Sequence, residues 1–374
     1  MSDILFDLPH GFSREEWDSL LIHAYDLDVS DVRVQPGVCV HGSIHGRMRK
    51  LTHRPLQDNE VRKAMSFMYG DNATAILSGG SDIDLAYEIA VDKYRRIGFR
   101  VNATPGYIVG GVGAQIVLRR IPGEPPRIQD MDLPAEILEG FCQIQGMVLV
   151  VGVTGSGKST LLASRIRYML EEEEDHSIVT FESPIEFVFA NIKPKSSLIW
   201  QTEVPSHLRH PDGFAYCVRN SLRRAPTDIF IGEARDRETI YSMIEASLTG
   251  HATYATVHAD SVASTISRLV LKFPPEIRDS VTYDLLSVLK MIVVQKLLPS
   301  VDGKRVAVRE YLVFDKEARD RLMRVPTQNL VLAIGEMVEE RGSTMFHSVR
   351  KAFDAGLITR ETFEMFRGEV KNVA

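Results

Sequence analysis

Eight consecutive residues, Gly152-Val153-Thr154-Gly155-Ser156-Gly157-Lys158-Ser159, satisfy every fixed position of G-x-x-x-x-G-K-[ST]. An apolar run, Val148–Val151, precedes them, and Thr160-Leu161-Leu162-Ala163 continues a helical pattern over Ser159–Leu170. A buried strand that turns through glycines straight into a helix belongs to an α/β layer, with the turn at the carboxyl edge of the sheet. Glycines at 152, 155 and 157 let main-chain N–H groups converge on one point with no Cβ in the way. The helix start adds a partial positive charge there. The chemistry that fits is a phosphate cradle. Lys158 is positioned to bridge β- and γ-phosphates, and Ser159 to offer its hydroxyl to a phosphate-bound Mg²⁺. Gly152, Thr154, Gly155, Ser156, Gly157, Lys158, Ser159 and Thr160 are therefore the expected nucleotide-binding residues.

At 374 residues the chain has room for two or three domains. Ser13 and Glu16 form a capping box ahead of Trp17, Leu20, Leu21 and Ala24 at helical spacing, predicting a helix over 13–27. Short alternating stretches follow at Val32–Val34 and Val38–Val40. A longer pair, Arg95–Thr104 and Gln115–Leu118, reads as a hairpin around a connector with Pro105-Gly106 and Gly110-Gly111. Residues 1–120 are thus expected to form a small α+β domain. Pro122, Gly123, Pro125, Pro126 and Pro134 then crowd the stretch 121–134, which neither a helix nor a central strand can traverse. It is the expected linker. From 135 to 374, strands at Ile178–Phe181 and Ile229–Ile231 alternate with a helix at Thr239–Leu248. The pattern turns helical from about residue 315, with amphipathic stretches at Phe346–Phe353 and Glu361–Phe366. The acidic run Glu171–Asp175 reads as a solvated helix end.

Composition narrows the function classes. Apolar residues at 44% and charged residues at 25% exclude wholesale disorder. The formal charge of -6, from 44 basic and 50 acidic side chains, lacks the basic footprint of a nucleic-acid binder. Cys39, Cys142 and Cys217 are far apart, which excludes a disulfide framework or a clustered-cysteine zinc module and suits a reducing cytosol. The start, Met1 to Asp7, lacks the pattern of a secretory signal. The most conspicuous apolar run, Met147–Val151, is far short of the roughly 18 residues of a membrane span. Work at a membrane would require recruitment by a partner.

Three segments downstream of the loop refine the reading. Thr180-Phe181-Glu182-Ser183-Pro184-Ile185-Glu186-Phe187 is a strand ending in two carboxylates. Leu222-Arg223-Arg224-Ala225-Pro226-Thr227-Asp228 leads through Ile229-Phe230-Ile231-Gly232 to Glu233-Ala234-Arg235-Asp236, so a strand delivers Glu233 at its carboxyl end. A carboxylate there can orient or deprotonate water, or hold Mg²⁺ through water. Thr249-Gly250-His251 and Thr256-Val257-His258 bracket a third strand. Taken alone, histidines seven apart on a strand are as readily packed residues, and their spacing is not that of a zinc pair.

In this order and spacing, the four motifs resemble the secretion and pilus-motor ATPase superfamily, PilT-like in character. The resemblance extends to Gly98-Phe99-Arg100-Val101-Asn102, Leu118-Arg119-Arg120-Ile121-Pro122, Gln295-Lys296-Leu297 and Ala355-Gly356-Leu357-Ile358. Glu-Ser-Pro-Ile-Glu, Leu-Arg-Arg-x-Pro and Arg309-Glu310-Tyr311-Leu312-Val313-Phe314-Asp315 point to the branch serving type IVB secretion systems and its conjugative-plasmid relatives. The resemblance implies an N-terminal PAS-like α+β domain and a RecA-like P-loop ATPase domain with a helical tail. It also implies a homohexameric ring, ATP and Mg²⁺ as ligands, a cytoplasmic location, and docking on an inner-membrane secretion or conjugation complex. Residue by residue, it implies Glu182 and Glu186 as an aspartate box, Glu233 as the catalytic carboxylate, and His251 and His258 as a histidine box. Arg100 and Arg119 match arginines that reach a γ-phosphate within or across subunits; alone they read as surface hairpin charges. Two departures stand out. Ser183 replaces the usual Asp of the aspartate box, and Thr227 follows Pro226 where an acidic residue is usual, with Asp228 one place late. The four-cysteine module of type II secretion ATPases is missing, and Ala318–Leu322 does not match the signature of pilus-retraction motors. ATP-driven type IVB secretion or conjugative transfer is the leading expectation. A pilus assembly or retraction ATPase is the alternative, and a nucleic-acid translocase, disfavoured by charge, the second.

Overall fold

The computed structural model describes residues 4–44, 47–92, 95–121, 123–204 and 208–373, with side chains as far as Arg367. Pro122, one of the proline cluster, and Met1–Asp3 lie outside the described residues. The chain forms two compact units. One runs up to Glu124 and takes back the segment Pro184–Asn191; the other comprises Pro125–Ser183 and the chain from Ile192 onward. The division between Glu124 and Pro125 falls within the proline cluster, whereas the return of 184–191 to the first unit left no mark in the sequence pattern.

In the first unit, Ser13 and Glu16 exchange the reciprocal bonds of a capping box and start α1 (Arg14–Asp26). Strands β1 (Asp31–Val34), β2 (Cys39–Ile44), β3 (Arg47–Pro55), β4 (Ile83–Ala90), β5 (Arg96–Ile108) and β6 (Gly111–Ile121) form one antiparallel sheet in the order β3-β2-β1-β6-β5-β4. Helices α2 (Asp58–Tyr69) and α3 (Ala73–Ser78) share its core with α1, where Trp17, Leu20, Phe99, Val101 and Leu118 are buried. The β5–β6 hairpin is longer than the sequence pattern predicts, because Pro105 and Gly106 are inside β5. The partner β4 pairs no further along β5 than Ala103, so Pro105 sits on an edge and its missing N–H costs no ladder bond.

The second unit is built on seven strands. They are β7 (Gly146–Val151), β8 (Ser177–Glu182), β9 (Leu198–Glu203), β10 (Asp228–Ile231), β11 (Ala252–Val257), β12 (Leu289–Pro299) and β13 (Arg305–Val313). Their order is β13-β12-β7-β11-β10-β8-β9; all neighbours are parallel except the β12–β13 hairpin. Every residue of β7, β10 and β11 is buried, as befits parallel strands covered on both faces. That is why they read as short continuous apolar runs. The connecting helices are α4 (Ala135–Phe141), α5 (Lys158–Glu171), α6 (Gly213–Ser221), α7 (Arg237–Leu248), α8 (Val262–Val270) and α9 (Arg278–Val288). The tail adds α10 (Lys316–Leu322), α11 (Leu330–Arg341), α12 (Met345–Asp354) and α13 (Arg360–Val373), with the Phe353 and Phe363 rings stacked at 4.6 Å between the last two.

Candidate nucleotide-binding site

The glycine loop leaves β7 at Gly152, whose φ of +147° is closed to most side chains and whose N–H donates to Val257 O at 3.2 Å. A Cβ there would lie 2.4 Å from the Gln295 carbonyl and 2.6 Å from Ser156 Oγ. Gly157, at φ +81°, caps the amino end of α5 and turns the chain into the helix. The first turn of α5 then presents N–H groups that an α-helix cannot satisfy internally. Lys158 is buried, and its ammonium donates to Gly152 O at 2.9 Å and Val153 O at 3.0 Å. These neutral acceptors hold the lysine across the loop, and phosphate oxygens would bind it more strongly because charge-assisted bonds are about twice as strong. Ser156 Oγ is buried with no hydrogen-bond partner among the described residues. Ser159 and Thr160 are half-buried at the helix start, and Thr154 is exposed. A buried hydroxyl without a partner and a lysine held by loop carbonyls both fit an anion in the cradle.

The carboxylates arrive from neighbouring strands. Gly232 lies so close to β8 that a Cβ would meet Phe181 O at 3.2 Å, so glycine lets the end of β10 pass. Ala234 N donates to Thr256 O at 3.0 Å, knitting the ends of β10 and β11 together. Between these contacts Glu233 emerges, with 19% side-chain exposure. Its carboxylate is 2.7 Å from Arg235 Nε and 3.5 Å from His258 Nε2. Glu182, the last residue of β8, accepts from Thr180 Oγ1 at 2.6 Å and Gln201 Nε2 at 3.1 Å. Gly152, Glu182, Glu233 and His258 therefore stand at the carboxyl ends of β7, β8, β10 and β11, four parallel strands of one sheet. This is the edge on which open α/β sheets bind ligands.

Other sequence-predicted residues lie elsewhere. His251 precedes β11 while His258 follows it. Its Nδ1 faces Ala246 O at 3.1 Å, and its carbonyl accepts from Gly146 N at the opposite end of β7 from the loop. Seven residues of extended chain span about 23 Å, so the two histidines that bracket β11 stand at opposite edges of the sheet, with His258 beside Glu233 and His251 remote from it. Asp228 begins β10 at that same remote edge, almost fully buried against His176 and Thr227. Glu186 is exposed in the segment that belongs with the first unit. Arg100 and Arg119 are also in that unit, directly opposite each other on β5 and β6, and both exposed. Like charges in that position repel, and Asp31, 2.8 Å from Arg119 Nε, offsets one of them. The acidic run lies at the end of α5 as expected, with Glu172, Glu174 and Asp175 exposed, while the half-buried Glu173 takes a bidentate pair from the buried Arg165 at 2.8 and 2.9 Å. Sequence reasoning passed over Arg235, whose only cue was its position two residues beyond Glu233.

Comparison with known proteins places the chain in a family. The family model described as "Type II/IV secretion system protein" matches residues 81–325. The X-ray structure of the Legionella pneumophila ATPase DotB is 40% identical, with 98% of this chain and 100% of that one covered at a TM-score of 0.81. The crystal structure of the pilus retraction motor PilT with bound ADP is 31% identical, with 92% and 95% covered at a TM-score of 0.78. A twitching motility protein of Neisseria gonorrhoeae is 34% identical over 321 residues, 85% of this chain and 81% of that one. The matched range holds the glycine loop and all three downstream motifs, and the relatives align along most of their length. The chain belongs to the type II/IV secretion system protein family.

Proposed function

We propose that this chain is the ATP-hydrolysing subunit of a homohexameric motor that powers type IVB secretion or conjugative transfer. The observation that carries the reading is the shared strand edge, where the Lys158 cradle and the Glu233 carboxylate follow parallel strands of one sheet. In this reading the second unit is a RecA-like ATPase domain and the first a PAS-like one. The loop N–H groups and Lys158 bind the β- and γ-phosphates. Glu233 orients or deprotonates the attacking water, and His258 and Arg235 set the position of its carboxylate. Glu182 and Glu186 supply further acidic groups, and Arg100 and Arg119 offer positive charge to a γ-phosphate of the same or a neighbouring subunit. Among the described residues no three or more His, Cys, Asp or Glu form a group able to hold a metal ion. Mg²⁺, which neutralises developing phosphate charge, would be held by the Ser159 hydroxyl of the loop motif and the nucleotide's own oxygens. Similarity over nearly the whole chain to the ATPase DotB, and the match to the type II/IV secretion system family, support the secretion role; the reading adds docking at the cytoplasmic face of an inner-membrane complex. No helix among the described residues is long and apolar enough to cross a membrane.

Glu233→Gln tests the chemistry. It should leave ATP binding intact and lower steady-state hydrolysis by about 10²-fold or more, the usual worth of a general base. Hydrolysis at the wild-type rate would overturn the assignment. A pilus-retraction role is the second reading, favoured by the twitching-motility and PilT relatives. Deleting the gene separates the two: loss of export or transfer with normal surface pili supports secretion, and loss of pilus retraction supports the alternative. A nucleic-acid translocase would instead show ATPase stimulation by single-stranded DNA.

A further inference from the structure

Gln295 and Arg309 are register partners on the β12–β13 hairpin, 1% and 5% exposed. β12 runs parallel to β7 with Val294 level with Val151, so Gln295 comes level with the start of the glycine loop. It fills the space below that loop in three ways. Its carbonyl occupies the position that a Cβ on Gly152 would need, its Nε2 lies 2.9 Å from where a Cβ on Gly157 would be, and Nε2 donates to Ser156 O at 2.7 Å. The main chain of residue 295 thus excludes a side chain at Gly152, and the Gln295 amide packs where a side chain at Gly157 would begin.

Arg309 fixes which way that amide points. Its Nε donates to Gln295 Oε1 at 2.9 Å, which leaves Nε2 aimed at the loop. The rest of the guanidinium donates to Met131 O and Asp132 O, both at 3.3 Å. Among the described residues Arg309 makes no ion pair, and burial pushes its pKa down to about 10. A buried cation satisfied by amide oxygens alone is a costly way to fill a core position. What the arrangement achieves is a link between two backbone segments distant in sequence. Asp132, at φ +45°, ends the 3-10 turn Ile128–Met131 in a left-handed conformation. The stretch leading to it is tied to α5, since Arg167 donates to Pro125 O at 2.6 Å and Arg127 lies 3.6 Å from Glu171.

We propose that Gln295 and Arg309 are positioning residues for nucleotide, a relay that joins the segment 125–132 entering the ATPase unit to the floor of the phosphate loop. Nucleotide affinity then depends on how that segment is seated, although neither side chain touches nucleotide. The proposal rests on the nucleotide-binding reading above.

The test uses the full chain with Arg309→Met, Gln295→Met, the double variant and the milder Arg309→Lys. Hydrogen exchange without nucleotide should accelerate at 152–158 in Arg309→Met, although Arg309 bonds to no residue of that loop. Unchanged exchange there would overturn the relay, and this readout is independent of ATP. With nucleotide, Arg309→Met should raise KM for ATP about tenfold with a smaller change in kcat, because small displacements of binding groups are costly. Arg309→Lys should recover part of the loss. The double variant should be no worse than the worse single one, since one residue acts through the other. Additive losses, or a lowered melting temperature with KM unchanged, would reduce both residues to ordinary packing. If wild-type protein neither binds nor hydrolyses ATP, the functional reading fails, and exchange at 152–158 still decides the relay.

Discussion

His176 lies between two carboxylates, with Nδ1 2.6 Å from Asp228 and Nε2 3.2 Å from Glu173. The hydrogen bond to Asp228 raises its pKa against the opposing effect of partial burial. A histidine whose folded pKa exceeds the unfolded value of about 6.5 stabilises the fold fully below that value, and the contribution fades as pH rises through the folded pKa. The melting temperature of wild type minus that of His176→Gln should therefore shrink on going from about pH 6 to above the folded pKa. A difference independent of pH would show that the imidazole is not charged in the fold. At the opposite edge, the proposed function has Lys158 exchange its loop carbonyls for phosphate, and charge-assisted bonds contribute about 1.5–3 kcal/mol each. Lys158→Ala should weaken ATP binding at least about ten- to hundredfold by titration calorimetry. Of the two residues, only Lys158 sits in a motif that names its partner. His176 owes its role to Asp228, fifty-two positions away, and local spacing carries no trace of that.

The strand–loop–helix made by β7, Gly152–Gly157 and α5 is the element in which local chemistry is most constraining. Gly152→Ala would require a side chain at φ +147° and a Cβ 2.4 Å from the Gln295 carbonyl. Strain and overpacking together should cost about 2–4 kcal/mol in chemical denaturation and abolish nucleotide binding. A stable, ATP-binding alanine variant would mean that the loop does not rest on β12. The helix after the Glu233 strand depends on its cap, where Asp236 Oδ1 accepts from Thr239 N at 2.8 Å. Asp236→Ala should cost about 1 kcal/mol, read as a lowered melting temperature, with nucleotide affinity little changed. Apolar runs and caps located β7, β8, β10, α1 and α7, whose buried faces and end signals are local properties. The β12–β13 hairpin was not legible as a strand pair. Gln295 and Arg309 interrupt its apolar pattern, and their burial makes sense only once they face each other.

For the whole molecule, the proposal of a six-membered ring is checked by mass measurement with and without ATP, where hexamers are expected with nucleotide; monomers under both conditions would refute it. If Arg100 and Arg119 serve a neighbour's nucleotide, a chain lacking both arginines and a Lys158→Ala chain should each be inactive alone and recover activity when mixed. Arginine fingers supplied by a partner are worth about 10³–10⁵ in rate. No recovery on mixing would confine the arginines to their own subunit. The chain's own order of residues was enough to specify a glycine loop between a strand and a helix, parallel strands around it and a carboxylate at the end of another strand. Those features follow from φ restrictions, apolar periodicity and the short range of a turn. Long-range pairing assigned everything that depends on which strands and segments are neighbours. It paired the half-buried Glu173 with the buried Arg165, joined His176 to Asp228, and set Gln295 under the loop. A strand's residue pattern states which side chains share a face. The order in which strands join a sheet, fixed by burial and backbone hydrogen bonding over the whole chain, decides what those side chains meet.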